Sequence, residues 1–83
     1  MWTVYIIEAS DNSLYTGIST DVERRWQEHM SGKTGAKFFR GRKPRRLVYQ
    51  QSVGDRSQAS QLEAEIKKLS RAKKLELIAA NVS

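Results

Sequence analysis

The first apolar run, Trp2-Thr3-Val4-Tyr5-Ile6-Ile7, is nearly continuous and rich in β-branched and aromatic residues, which predicts a buried strand. Ser10-Asp11-Asn12-Ser13 is a cluster of turn formers, and Leu14-Tyr15-Thr16-Gly17-Ile18 returns as a second strand, giving an antiparallel hairpin. The period then lengthens. Thr20-Asp21-Val22-Glu23 has the capping-box pattern, with Thr20 as N-cap and Glu23 reaching back. Val22, Trp26 and Met30 recur every four residues as the core face of the helix that follows, and Gly32 closes it. Residues 33–44 are glycine-punctuated and basic, with room for a short helical turn around Ala36-Lys37-Phe38-Phe39, and Pro44 ends them. Leu47-Val48-Tyr49 is a compact third strand, too short to stand alone and therefore expected to pair with the hairpin. Asp55 or Ser57 can cap a helix whose apolar stripe is Ala59, Leu62, Ile66 and Leu69; Ser70 can cap a last short helix carrying Leu75, Ile78 and Ala79. The order ββα-β-αα predicts an α+β fold: a small three-stranded antiparallel sheet flanked by helices.

Length limits this picture. Eighty-three residues suit one domain spanning 1–83, and a chain this short buries only about 60% of the surface it exposes when unfolded, so the core is thin. There is no cysteine, hence neither a disulfide nor a thiolate zinc site to compensate. No signal-peptide pattern and no apolar run near 18 residues are seen, so a cytoplasmic protein with no membrane role is expected.

Charge changes the picture more. The net charge is +6, and its excess is local. Residues 1–20 carry Glu8 and Asp11 and no base, whereas residues 37–46 carry Lys37, Arg40, Arg42, Lys43, Arg45 and Arg46 and no acid. A single segment of that kind reads as a surface facing a polyanion, with a merely solvated basic face as the plain alternative.

Candidate chemistry lies outside that segment. Tyr5 and Tyr15 stand ten residues apart in the hairpin, Arg25 follows Gly17 by eight, His29 lies one turn further on, and Glu63 sits in a later helix. Taken singly, each has an ordinary explanation. Strand tyrosines usually pack sheets, Arg25 beside Arg24 suits a solvated helix face, His29 suits a helix C-terminus, and Glu63 can pair with Lys67 at i,i+4. Their joint spacing points elsewhere. Arg25 and His29 share one helix face, and two phenols, a guanidinium, an imidazole and a carboxylate are groups that phosphodiester cleavage can use.

Thr3-Val4-Tyr5 followed by Tyr15-Thr16-Gly17 resembles the paired motifs of the GIY-YIG nuclease superfamily, and Glu23-Arg24-Arg25-Trp26-Gln27-Glu28-His29 resembles its following helix. Leu62-Glu63-Ala64 is similar to the segment carrying its metal-binding carboxylate, and the similarity to small, stand-alone bacterial members of the YhbQ-like kind runs from about Trp2 to Ile78. Thr3 departs from the first motif's glycine and Thr16 from the second motif's central isoleucine. The resemblance implies that Tyr5 and Tyr15 serve the nucleophile side, one as general base toward water; spacing does not rank them, and Tyr5 is taken as the base with Tyr15 positioning or assisting. It implies further that Arg25 contacts the scissile phosphate, that His29 assists by hydrogen bonding or proton relay, and that Glu63 alone holds one Mg²⁺ or Mn²⁺.

Elementary chemistry agrees with those roles. A planar, permanent cation suits the charge on a phosphorane-like centre, and Mg²⁺ accepts few carboxylates because it keeps most of its waters. A phenol of ordinary pKa is only about 0.1% ionised at pH 7, so a tyrosine base needs help from its neighbours. The expectation is a metal-dependent nuclease acting on DNA in preference to RNA, with little sequence specificity of its own. Selectivity would then rest on nucleic-acid shape or on a protein partner, and a monomer is favoured. A nucleic-acid-binding module with a silent or very slow site is the alternative reading. An adaptor using the basic face on an acidic protein is a third.

Overall fold

A computed structural model of the chain describes residues 1–32 and 37–81. Three strands, β1 (Trp2–Ala9), β2 (Leu14–Ser19) and β3 (Pro44–Val53), form one antiparallel sheet in the order β2-β1-β3. Helix α1 (Val22–Ser31) and a single 3₁₀ turn, Lys37–Phe39, precede β3; α2 (Arg56–Lys67) and α3 (Arg71–Asn81) follow it. The expected α+β architecture is therefore present. No helix among the described residues is long and apolar enough to cross a membrane.

The continuous apolar run of β1 is explained by its place in the sheet. A central strand with helices against both faces must be apolar on both sides, so no polar alternation appears. Val4 and Ile6 pack with Tyr49 of β3 and with Ala59 and Ile66 of α2 on one face. Tyr5, Ile7 and Ala9 pack with Phe39, Val22 and Trp26 on the other. Thr16 pairs with Ile6 in the ladder, and its buried Oγ1 finds no hydrogen-bond partner among the described residues. An isoleucine in that place would bury no polar atom, so the departure at Thr16 costs about 1–3 kcal/mol by desolvation.

Several local expectations are corrected. β3 is ten residues long rather than three and starts at Pro44, a tolerated place for proline because the first residue of a strand can forgo its ladder donor. Its pairing with β1 shifts register between Ile6 and Ile7, where Tyr49 and Leu47 are the partners and Val48 is the extra residue. Such a bulge breaks the period-two pattern, which hid the strand's length. The N-cap of α1 is Asp21, whose carboxylate accepts from Arg24 N at 3.1 Å; Thr20 is one residue early. The core face of α1 also differs. A strict i+4 series drifts by about 40° per step on a helix of 3.6 residues per turn, so Met30 lies about 80° from Val22, whereas His29 lies only about 20° away. Met30 is accordingly half-exposed and His29 is buried. Gly32 closes the helix in the left-handed region, φ 72°, as expected. Asp55, not Ser57, caps α2 in a capping box with Gln58. In α3, Leu77 and Ile78 face the core while Leu75 is exposed. Ala36, assigned above to a helical turn, lies outside the described residues; Lys37–Phe39 form that turn.

Candidate active site

The hairpin register places Tyr5 opposite Gly17 and Ile7 opposite Tyr15. The two tyrosines are thus diagonal neighbours on one face of the sheet, with ring centroids 6.3 Å apart. The Tyr5 ring lies across Gly17. A Cβ on residue 17 would stand 2.7 Å from Tyr5 Oη and 2.8 Å from its Cζ, closer than any real contact. Glycine is required here by the phenol above it, not by its own backbone angle. Gly17→Ala is expected to push the Tyr5 ring off its seat and destabilise the fold by about 1–3 kcal/mol, as overpacking does. Urea unfolding would show the loss. An undisturbed Gly17→Ala protein would mean that the ring has room to move.

His29 reaches the same phenol from α1. Its Nε2 is 3.2 Å from Tyr5 Oη, and its ring packs at 4.6 Å from Phe39 and 5.3 Å from Tyr15. Burial and the nearby Arg25 charge push the imidazole down to about 4, so it is neutral at pH 7. Arg25 also hydrogen-bonds the Tyr5 phenol. A guanidinium can only donate, so the phenol oxygen accepts from Arg25; in the tautomer of His29 protonated at Nδ1, the phenol's own proton is donated to Nε2. Burial raises the Tyr5 pKa above the usual phenol value; Arg25 opposes the rise, and the charge of Glu63 adds to it.

Four of the five residues singled out in the sequence therefore meet around one phenolic oxygen and the face it occupies. Glu63 arrives from the opposite layer, on α2. Its carboxylate is mostly buried, pairs with Lys67 Nζ at 3.3 Å, and is close enough to act electrostatically on Tyr5. The ordinary i,i+4 pairing is present, and the charge of Glu63 is felt at the Tyr5 phenol.

One residue escaped the sequence reading. Glu28 holds Arg25 Nη1 at 2.5 Å, with both side chains about three-quarters buried. Glu28 thereby anchors the guanidinium that faces Tyr5. The i,i+3 spacing was the available signal, and it is common to many surface pairs. Phe39 likewise packs the imidazole in place.

The basic segment divides. Lys37 and Arg40 are exposed on and after the 3₁₀ turn. Arg42 stacks on Phe38, 4.4 Å from the ring centroid, and lies 3.4 Å from Asp11. The backbone of Lys43 is tied to Ser10, and Arg45 and Arg46 both approach Glu8.

The donor set suits only one kind of metal site. Among the described residues no three His, Cys, Asp or Glu side chains gather as a metal-holding group. A lone carboxylate such as Glu63 fits a hard divalent cation that keeps waters and takes remaining ligands from substrate phosphate.

Comparisons with known proteins give the family. Residues 1–76 match the family model described as the GIY-YIG catalytic domain. The UPF0213 protein of Syntrophus aciditrophicus is 51% identical over 78 residues, covering 94% of this chain and 90% of the relative. The UPF0213 protein YhbQ of Escherichia coli K12 is likewise 51% identical over 78 residues, covering 94% of this chain and 77% of its own. The solution structure of the UPF0213 protein BH0048 from Bacillus halodurans superposes with a TM-score of 0.61 at 48% identity, covering 96% of this chain and 85% of that one. With the tyrosine pair, the glycine beneath it and the family match in agreement, this chain belongs to the GIY-YIG family, a nuclease superfamily.

Proposed function

We propose that this protein hydrolyses phosphodiester bonds of DNA with the help of one divalent cation and with little sequence preference of its own. One observation carries the reading: Tyr5 Oη lies within hydrogen-bonding reach of both the Arg25 guanidinium and neutral His29 Nε2. A buried phenol with a raised pKa is a poor base alone. Handing its proton to Nε2 while it takes one from water removes the need for a free phenolate. Burial chiefly, and the Arg25 charge with it, depress the basicity of His29; a phosphate bound to Arg25 would offset the second of these and make the imidazole a better proton acceptor. Arg25 would meanwhile donate to the phosphate oxygens as negative charge builds on them. Tyr15 would hold the imidazole and the phosphate side of the site in register.

Glu63 would hold Mg²⁺ or Mn²⁺, whose chemistry there is neutralisation of charge on the phosphate and the leaving oxygen. Lys67, now paired with Glu63, would be displaced toward solvent. Selectivity would come from nucleic-acid shape or from a protein partner.

Plasmid nicking with Mg²⁺ or Mn²⁺ tests the proposal. Glu63→Gln is expected to reduce cleavage to background and weaken Mn²⁺ binding while DNA binding persists. Undiminished cleavage by that variant would overturn the metal assignment. Binding without any cleavage by the native chain would leave a nucleic-acid-binding module.

A further inference from the structure

The fold assembles a corner that sequence separation conceals. Cations from two distant stretches of chain, residues 42–46 and the start of α3, converge on the end of β1 and the turn that follows it. Arg42 approaches Asp11 at 3.4 Å, and Arg46 Nε meets Glu8 at 3.0 Å. Arg45 donates to Asn12 Oδ1 at 3.1 Å and to the Ser10 carbonyl at 2.7 Å. Arg71, at the start of α3 and 59 positions from Asn12, donates to the Asn12 carbonyl at 2.7 Å. Asn12 is the hub, and its φ of 70° belongs to the left-handed region that asparagine tolerates in turns.

The charges here do not cancel. Among the described residues, four guanidiniums face two carboxylates, Glu8 and Asp11, and the remaining acceptors are neutral carbonyl and amide oxygens. Neutral acceptors fix an arginine without removing its charge. These bonds engage one or two nitrogens of each guanidinium, which carries five N–H donors in a planar fork. Arg45 and Arg46 stay 47% and 68% exposed, so their heads are open to an incoming anion. Holding such forks in place beforehand lowers the entropy lost on binding. The corner also adjoins the site: Arg42 lies over Phe38, whose ring centroid is 5.2 Å from that of Tyr15.

We propose that this arginine corner is a phosphate-binding extension of the active site. It grips the nucleic-acid backbone a few nucleotides from the scissile bond, with Arg71 of α3 as a contact alongside Arg42, Arg45 and Arg46. Its position relative to the cut rests on the nuclease reading above; its affinity for phosphate does not. A purely structural latch would also use these hydrogen bonds, and salt dependence separates the two.

The experiment is fluorescence anisotropy of a short labelled DNA duplex in EDTA, titrated with the full chain across a range of salt. The variants are Arg46→Gln, Arg71→Gln, the double variant and Arg71→Lys, with Lys73→Gln, on the same helix, as control. Each lost phosphate contact should flatten the plot of log affinity against log salt by about 0.9, so the double variant should lose about 1.8. Arg71→Lys should restore the slope, because it keeps the cation whatever it does to stability. Arg46→Gln guards against failure of the Arg71 variant to fold, since Arg46 is mostly exposed. An unchanged slope in the folded Arg46→Gln and Arg71→Gln variants would overturn the proposal. Equal flattening by Lys73→Gln, or no binding by the native chain, would overturn it too. A flattened slope in the corner variants without cleavage by the native chain in metal would sink the nuclease reading and leave the corner standing.

Discussion

Arg25→Ala is expected to lower the cleavage rate on the order of 10²–10³-fold, about 3–4 kcal/mol of transition-state stabilisation, while Arg24→Ala changes it little. The neighbours of the two arginines explain the difference. Arg25 is three-quarters buried, anchored by Glu28 and hydrogen-bonded to the Tyr5 phenol. Arg24 is exposed. Arg25→Lys should recover little, because a point charge cannot hold Glu28, the phenol and a phosphate in one plane as a guanidinium fork can. Single-turnover rates on a labelled duplex, with unfolding curves to confirm intact folds, provide the comparison. Equal and small losses from both alanine variants would return Arg25 to the status of surface charge.

The second large effect concerns acid stability and requires no catalysis. His29 is 1% exposed, and its folded pKa of about 4 lies below the ordinary 6.5. Between these values the unfolded chain binds a proton that the folded chain refuses, so stability rises with pH across that window. The contribution is complete above pH 6.5 and is lost as pH falls toward about 4. A displacement of that size corresponds to about 3 kcal/mol, since each pKa unit is worth about 1.4 kcal/mol. Urea unfolding of the native chain should therefore show stability falling steeply over this window. His29→Gln has no titrating group and can still bond to the Tyr5 hydroxyl, so its curve should be flatter by that amount. Carboxylates titrate in the lower part of the window in both proteins and cancel in the difference. Parallel curves would mean that the imidazole is protonated in the fold after all, and the neutral-acceptor role given to it above would fall.

How well each feature could be read from the sequence followed from how local its cause was. Gly32 and Asp55 end and begin helices through contacts within one turn; Gly32 was visible outright and Asp55 as one of two candidate caps. Thr20 and Asp21 are both competent caps one residue apart, so choosing between them depended on the angle at which the chain leaves β2. The i,i+4 face of α1 pointed at Met30 because two successive steps of four accumulate a drift that a three-then-four pattern avoids. β3 was seen only at its apolar centre. Its polar flanks, Arg45, Arg46 and Gln50 to Ser52, take strand geometry from pairing with β1 rather than from their own preferences.

By itself, the sequence determined the element order and the sheet's composition, because strand runs and helix caps are properties of neighbouring residues; its resemblance to a known family singled out Tyr5, Tyr15, Arg25, His29 and Glu63 as candidates. Tertiary structure decided what those side chains do to one another. The register puts Gly17 beneath the Tyr5 ring, and the path of α1 buries His29 against the phenol. The pairing of Arg25 with Glu28 fixes the guanidinium beside it. Arg71 reaches the Asn12 carbonyl across the largest part of the chain, and no local pattern encodes that meeting. Hydrophobic periodicity says which face of an element turns inward. Distances between polar atoms on different elements are set only when those faces pack.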